Sequence, residues 1–229
     1  MLNVSNSGQP RSVLVAGGSG GLGSAIARRF AARGDVLTLV ARDADRLAAV
    51  PVEAHRVTAD LRDPASVSAA VAAAVEHGDG LDVVVNAVGV VAFGPVADLS
   101  VDAMEELFLT NTFVPIMLAK AALPAMRPGG VLVNISGVIA EQNLPGMAAY
   151  GASKAAVRSF DEALAREARR AKVRVLDARP PHTETGLADR PVEGQAPKMP
   201  TGLTPDQVAD VIVAGIDGDV ADLPSEAFG

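Results

Sequence analysis

The sequence predicts an α/β fold, a doubly wound parallel sheet in a single domain, and three observations carry that expectation. Short Val- and Leu-rich runs alternate with Ala-rich segments of helix length along the chain. The runs are continuously apolar, as in Val83-Val84-Val85, which is the pattern of strands covered by helices on both faces, whereas a half-exposed antiparallel strand would alternate. The composition agrees: 229 residues, 49% hydrophobic, 3% aromatic and no Trp, enough for one sizeable core built from small aliphatic side chains.

Strands are expected at 12–16, 36–40, 54–58, 81–86, 130–136 and 173–178, separated by helices. Residues 1–11 are polar and lack the apolar centre of a signal peptide, so they read as a disordered leader before a domain over 12–229. Asp63-Pro64 and Thr204-Pro205-Asp206-Gln207 are helix starts, with a capping side chain, a first-turn proline and, in the second, a capping-box Gln. Pro115 falls inside a helical stretch over 101–127, where it removes one backbone hydrogen bond and should kink the helix. The segment 179–204 holds Pro180, Pro181, Pro191, Pro197 and Pro200, so a long surface loop with room for one short helix is expected there, of the kind that forms a substrate lid.

Charge and residue usage exclude several function classes. A net charge of −7 argues against a nucleic-acid surface or a basic membrane patch. No Cys is present, and His55, His77 and His182 have no ligand-like spacing, so neither a thiolate nor a metal centre is expected. No run reaches the ~18 apolar residues of a membrane span. A cytoplasmic protein acting on small molecules is the expectation, with no nucleic acid and no membrane among its partners.

The first strand is followed by Ala16-Gly17-Gly18-Ser19-Gly20-Gly21-Leu22-Gly23 and then by a helix. Glycines permit a tight turn and close backbone approach, and the free N–H groups and dipole at the helix start favour a pyrophosphate. Between strand and helix, the spacing Gly17, Gly21, Gly23 points to a dinucleotide site with Gly17, Ser19, Gly20, Gly21, Leu22 and Gly23 around the phosphates, in a Rossmann-type sheet. At the end of the second strand an acidic residue would pair with the ribose of NAD. Here Ala41 and Arg42 follow Val40, and Arg42 can hold a 2′-phosphate, which favours NADP(H) over NAD(H).

Tyr150, the one tyrosine of the chain, precedes Lys154 by four residues, so phenol and ammonium share a helix face. The cation, with an oxidised nicotinamide, would favour the phenolate and let Tyr150 exchange a proton with a substrate oxygen.

With these segments in view, residues 12 to 190 resemble the short-chain dehydrogenase/reductase family. Asp60-Leu61 resembles the pair that contacts adenine, and Asn86-Ala87-Val88-Gly89 resembles the Asn-Asn-Ala-Gly element, with Ala87 replacing the second Asn. The stretch 109–126, with Asn111 and the ending Ala-Leu-Pro-Ala-Met, resembles the long interface helix whose Asn supports a proton-relay water. Arg179-Pro180-Pro181-His182-Thr183-Glu184-Thr185 resembles the loop that covers nicotinamide, with Pro181 in place of Gly.

The resemblance implies a sheet order 3-2-1-4-5-6 with at most a short seventh strand, since the family's C-terminal strand is not visible in the sequence. It implies hydride transfer to or from a carbonyl or alcohol, catalysis by Tyr150, Lys154 and Asn111, and cofactor contacts from Asn86, Ala87, Val88, Pro180, Thr183 and Thr185 besides the turn, Tyr150 and Lys154. It also implies a homo-oligomer, dimer or tetramer, paired through the helices of Asn111 and Tyr150.

The family's catalytic serine stands thirteen residues before the tyrosine, which here is Gly137. Ser136 is its neighbour, and adjacent strand residues face opposite sides, so Ser136 serves as polariser only if the strand end shifts. Three readings stay open: Ser136 substitutes, the enzyme works without that hydroxyl, or the chain is a non-catalytic NADP-binding regulator or sensor. A substrate pocket is expected from Phe93, Gln142, Asn143, Leu144, Met147, His182, Leu187 and Met199.

Overall fold

The computed structural model describes residues 9–229. Its seven parallel strands run β1 (Ser12–Ala16), β2 (Val36–Ala41), β3 (His55–Thr58), β4 (Leu81–Asn86), β5 (Met126–Ile135), β6 (Arg174–Ala178) and β7 (Asp222–Leu223), in the order 3-2-1-4-5-6-7. The helices are α1 (Gly21–Ala31), α2 (Ala44–Ala48), α3 (Pro64–Gly78), α4 (Val101–Phe108), α5 (Val114–Ala122), α6 (Ala148–Glu167) and α7 (Pro205–Asp217).

Alternate strand residues feed two cores, which is why the strands are apolar throughout. Val13, Val15, Val83, Val85 and Leu176 pack with α1 and α7 on one face. Leu14, Val84, Leu132 and Val175 pack with α3, α5 and α6 on the other. Leu14 and Leu176 have no exposed surface, so truncating either to Ala costs about 2–5 kcal/mol.

Several expectations need correction. β5 begins at Met126, four residues before the expected start, because its pairing with β4 slips between Leu81 and Val83 and absorbs the glycines at 129 and 130. The seventh strand, by contrast, is as short as the expected order allowed: two-residue β7 pairs Asp177 with Asp222 and Ala178 with Leu223, and Leu223 and Phe228 bury in the α1/α7 core. The leader expected over 1–11 lies outside the described residues except for 9–11. Arg11 is docked: its N–H donates to Asp35 at 2.8 Å and its guanidinium pairs with Asp217 at 3.0 Å.

Pro115 acts by a route other than a simple kink. The helix widens into a five-residue π turn, Leu109–Phe113, and restarts as α5 with the proline in its first turn, where proline is tolerated. Against the expectation that no stretch reaches the length of a membrane span, the combined helix Val101–Ala125 is apolar enough to cross a membrane by length and composition; half of its most apolar window is buried within the fold. The segment 179–204 carries no helix, only isolated bridges between Thr183 and Leu203 and between Ala92 and Glu193.

Candidate active site

The sheet order reverses direction between β1 and β4, and a crevice opens at the carboxyl ends of those strands. The turn after β1 closes it from below. Gly17 has φ +78°, and a Cβ there would stand 2.7 Å from the Ala87 carbonyl; a Cβ on Gly23 would collide with the Gly17 carbonyl. Turn and α1 therefore pack as bare backbone. The side chains of Asp43, Asp63, Ser100 and Thr204 cap α2, α3, α4 and α7, but Gly20 at the start of α1 offers none, and no acidic residue follows in the first turn. These are the features of a cradle for a diphosphate, so the residues present fit a dinucleotide.

The crevice has two chambers. One, of about 310 Å³, is lined by Gly17, Ser19, Arg42, Asp60, Leu61 and the unanticipated Arg46. The Arg46 guanidinium donates to the Ser19 carbonyl at 3.2 Å, which brings a second cation beside Arg42. Asp60 is clasped by Arg62, whose Nε is 3.0 Å from both carboxylate oxygens, and this holds the Asp60 carboxyl below its ordinary range.

The other chamber, of about 270 Å³, receives Tyr150 and Lys154 from the first two turns of α6, together with Leu22, Pro180, Thr183 and Thr185. Lys154 is 7% exposed and donates to the Ile135 carbonyl at 2.7 Å. Burial pushes its ammonium down to about 8, against an opposing pull from the Asp177 carboxylate. Burial pushes the Tyr150 phenol up to about 12. In the free protein desolvation sets the phenol, which stays protonated at neutral pH; the expected lowering concerns the site with an oxidised nicotinamide beside Lys154.

Asn111 sits in the π turn beneath this chamber without lining it. Its amide oxygen accepts the Val90 N–H and its nitrogen donates to the Val90 carbonyl, both at 2.9 Å, and to Ser153 Oγ at 3.0 Å. Ser153 Oγ in turn donates to the Tyr150 carbonyl at 2.7 Å, so Asn111 braces the helix that carries Tyr150. Asn111 and Lys154 converge at Gly89, where a Cβ would meet Asn111 Oδ1 at 3.4 Å and Lys154 Nζ at 3.5 Å. Because residue 115 is proline, the Asn111 carbonyl lacks the donor an α-helix would supply.

Ser136 and Asn86 depart from the roles expected of them. Ser136 borders the chamber, but its hydroxyl has no exposed surface and donates to Asp177 at 2.5 Å. Gly137 adopts φ +79°, ψ 162°, and its N–H and that of Val138 are taken by the carbonyls of Ala178 and Pro180. No second hydroxyl or free N–H from this strand end faces Tyr150. Asn86 is buried away from both chambers, donating to Asn134 at 3.1 Å and accepting the Val88 N–H, so it shapes the loop whose Ala87 and Val88 do line the crevice. Phe93, Leu144, Met147, His182, Leu187 and Met199 line the chamber as expected, whereas Gln142 and Asn143 are exposed outside it.

A family model described as short chain dehydrogenase matches residues 11–196. The chain belongs to the short-chain dehydrogenase/reductase family. It is 32% identical over 226 residues to the dehydrogenase/reductase SDR family member 7B of Bos taurus, covering 89% of this chain and 70% of that protein. A short chain dehydrogenase from Burkholderia cenocepacia J2315, solved in complex with NADP, superposes with a TM-score of 0.83 at 28% identity, covering 94% of this chain and 95% of that one. A short-chain dehydrogenase/reductase from Burkholderia phymatum, solved with NAD, superposes at 0.84 over 94% of this chain and 89% of that one, and its 24% identity shows the fold alone. Structures of this dehydrogenase family thus hold either nicotinamide dinucleotide. Where the resemblance to the family places a serine, this chain carries Gly137, and the neighbouring Ser136 is committed to Asp177.

Proposed function

We propose that this chain is an NADP(H)-dependent oxidoreductase that transfers hydride between nicotinamide and a small carbonyl or alcohol substrate, with Tyr150 as the acid/base. The observation that carries this reading is that Tyr150 and Lys154 enter, from one helix face, the chamber whose floor is the glycine turn. The nicotinamide, when bound, supplies or accepts the hydride. Tyr150 is protonated in the free site, so it is set to donate to a carbonyl oxygen as reduction proceeds. Lys154 gives one N–H to Ile135 and keeps two for the cofactor's ribose hydroxyls. Asn111 supports both by fixing the α6 backbone and the Val90 segment.

Arg42 and Arg46 support the preference for NADP(H), since paired guanidinium groups suit a 2′-phosphate. Exposed Phe108, Leu109 and Phe113 beside the α6 helix support a homo-oligomer, dimer or tetramer, paired through the helices of Asn111 and Tyr150. Fluorescence titration tests the cofactor assignment: NADPH should bind at least tenfold tighter than NADH, and Arg42→Ala with Arg46→Ala should erase the difference. Equal affinities in the native chain would contradict it.

A second reading has its own observation. With Ser136 turned to Asp177 and the Gly137 and Val138 N–H groups occupied, Tyr150 is the one hydroxyl donor offered by this strand end and helix, an arrangement that also suits a regulator binding NADPH without turnover. NADPH oxidation over a panel of aldehydes, ketones and quinones separates the two, since a regulator oxidises none.

A further inference from the structure

Nothing in the sequence marks Arg190, yet it lines both chambers of the crevice, at the waist where they meet. The two chambers share five lining residues: Gly20, Ala87, Val88, Gly89 and Arg190. Four contribute backbone or small apolar groups, so the guanidinium is the one charged group at this waist. Its place is set by the loop on either side of it. Thr185 rests on the glycine turn, where a Cβ on Gly21 would be 3.0 Å from the Thr185 Cα. On the other side Val192 N–H donates to the Val91 carbonyl at 2.8 Å, and Phe93 N–H donates to the Glu193 carbonyl at 3.0 Å. Between these two anchors, Arg190 Nε donates to the Gly186 carbonyl at 3.0 Å. The terminal nitrogens have no carboxylate within 4.0 Å among the described residues, although Asp189 is adjacent in sequence.

We propose that Arg190 is a clamp for the diphosphate of the bound dinucleotide, reaching down from the covering loop while the glycine turn holds the same group from below. The proposal rests on the dinucleotide reading of the crevice. A dinucleotide that fills both chambers must pass its diphosphate through the waist, and a planar guanidinium with two free terminal nitrogens matches phosphate oxygens in pairs. Cofactor and covering loop are thereby coupled, and the loop that borders the substrate side is fastened by the cofactor itself.

Calorimetric titration of the whole chain tests this with three probes: NADPH, 2′-phospho-ADP-ribose, which keeps the diphosphate, and adenosine 2′-monophosphate, which lacks it. Arg190→Gln should weaken the first two by about ten- to a hundredfold and leave the third within twofold, the loss expected for one charge-assisted contact. Arg190→Lys should recover part of the loss, and Arg170→Gln, a distant exposed arginine, should change nothing. Equal weakening of all three probes would move Arg190 to the 2′-phosphate and overturn the proposal; unchanged NADPH affinity would overturn it too. If the unmutated chain binds none of the probes, the dinucleotide reading itself fails, an outcome distinct from the other two.

Discussion

Ser136 donates its hydroxyl to Asp177 at 2.5 Å, and the same carboxylate accepts from Arg179 at 2.5 Å. Arg179 is 3% exposed and also pairs with Glu141 and Asp222 at 2.6 Å, so the ends of β5, β6 and β7 are laced together by one buried guanidinium. Ser136 belongs to that lacing. Its hydroxyl secures the strand end from which Gly137 faces the crevice.

Ser136→Ala should therefore act on stability first. Removing a donor from a buried carboxylate costs about 1–3 kcal/mol, read as a lower urea midpoint, while kcat should stay within about threefold. A hundredfold fall in kcat with an unchanged midpoint would return Ser136 to the role of substrate polariser.

Restoring a serine at position 137 should fail to restore anything. A Cβ on Gly137 would have room, with only the Pro180 carbonyl at 3.9 Å, but φ +79° with ψ 162° is a conformation open almost solely to glycine. Gly137→Ser should lose about 1–3 kcal/mol of stability without raising kcat. A more active, equally stable variant would show that the strand end relaxes into a serine-bearing geometry.

Much of this architecture was legible in the sequence because its causes are local. Continuous apolar runs marked strands buried on both faces, the glycine turn marked the crevice, and the four-residue spacing of Tyr150 and Lys154 put both on one face of α6. What stayed hidden depends on contacts between distant segments. Two-residue β7 is held by Leu223 and Phe228 packing on α1 and α7, a contact no run of two residues can announce. Ser136 was ambiguous because strand alternation does not say which neighbour its hydroxyl meets, and Asp177 lies forty-one residues away. Arg46 carried a usable signal, a second arginine four residues beyond Arg42. Arg190 carried none, since the waist exists only after the covering loop folds back on Gly21.

Cofactor affinity should depend on pH through Lys154. Its ammonium titrates near 8 in the folded chain, below its ordinary 10.5, and only the protonated form offers charge and three N–H donors. NADPH affinity should thus be level below pH 8 and weaken above it, by up to about tenfold per unit, and Lys154→Met should flatten the profile. Stability runs the other way: between pH 8 and about 10 the unfolded chain binds the extra proton, so stability gains with rising pH in the native chain relative to Lys154→Met. An NADPH affinity constant from pH 7 to 9.5 in the native chain would contradict the assignment.

The central claim is that the Tyr150 phenol exchanges a proton with the substrate. Turnover of the best substrate in a carbonyl panel, compared between the native chain and Tyr150→Phe at matched NADPH saturation, tests it most directly. The account predicts a fall in kcat of about 10²–10⁴ with NADPH affinity held within threefold. Turnover by Tyr150→Phe at the native rate would contradict it.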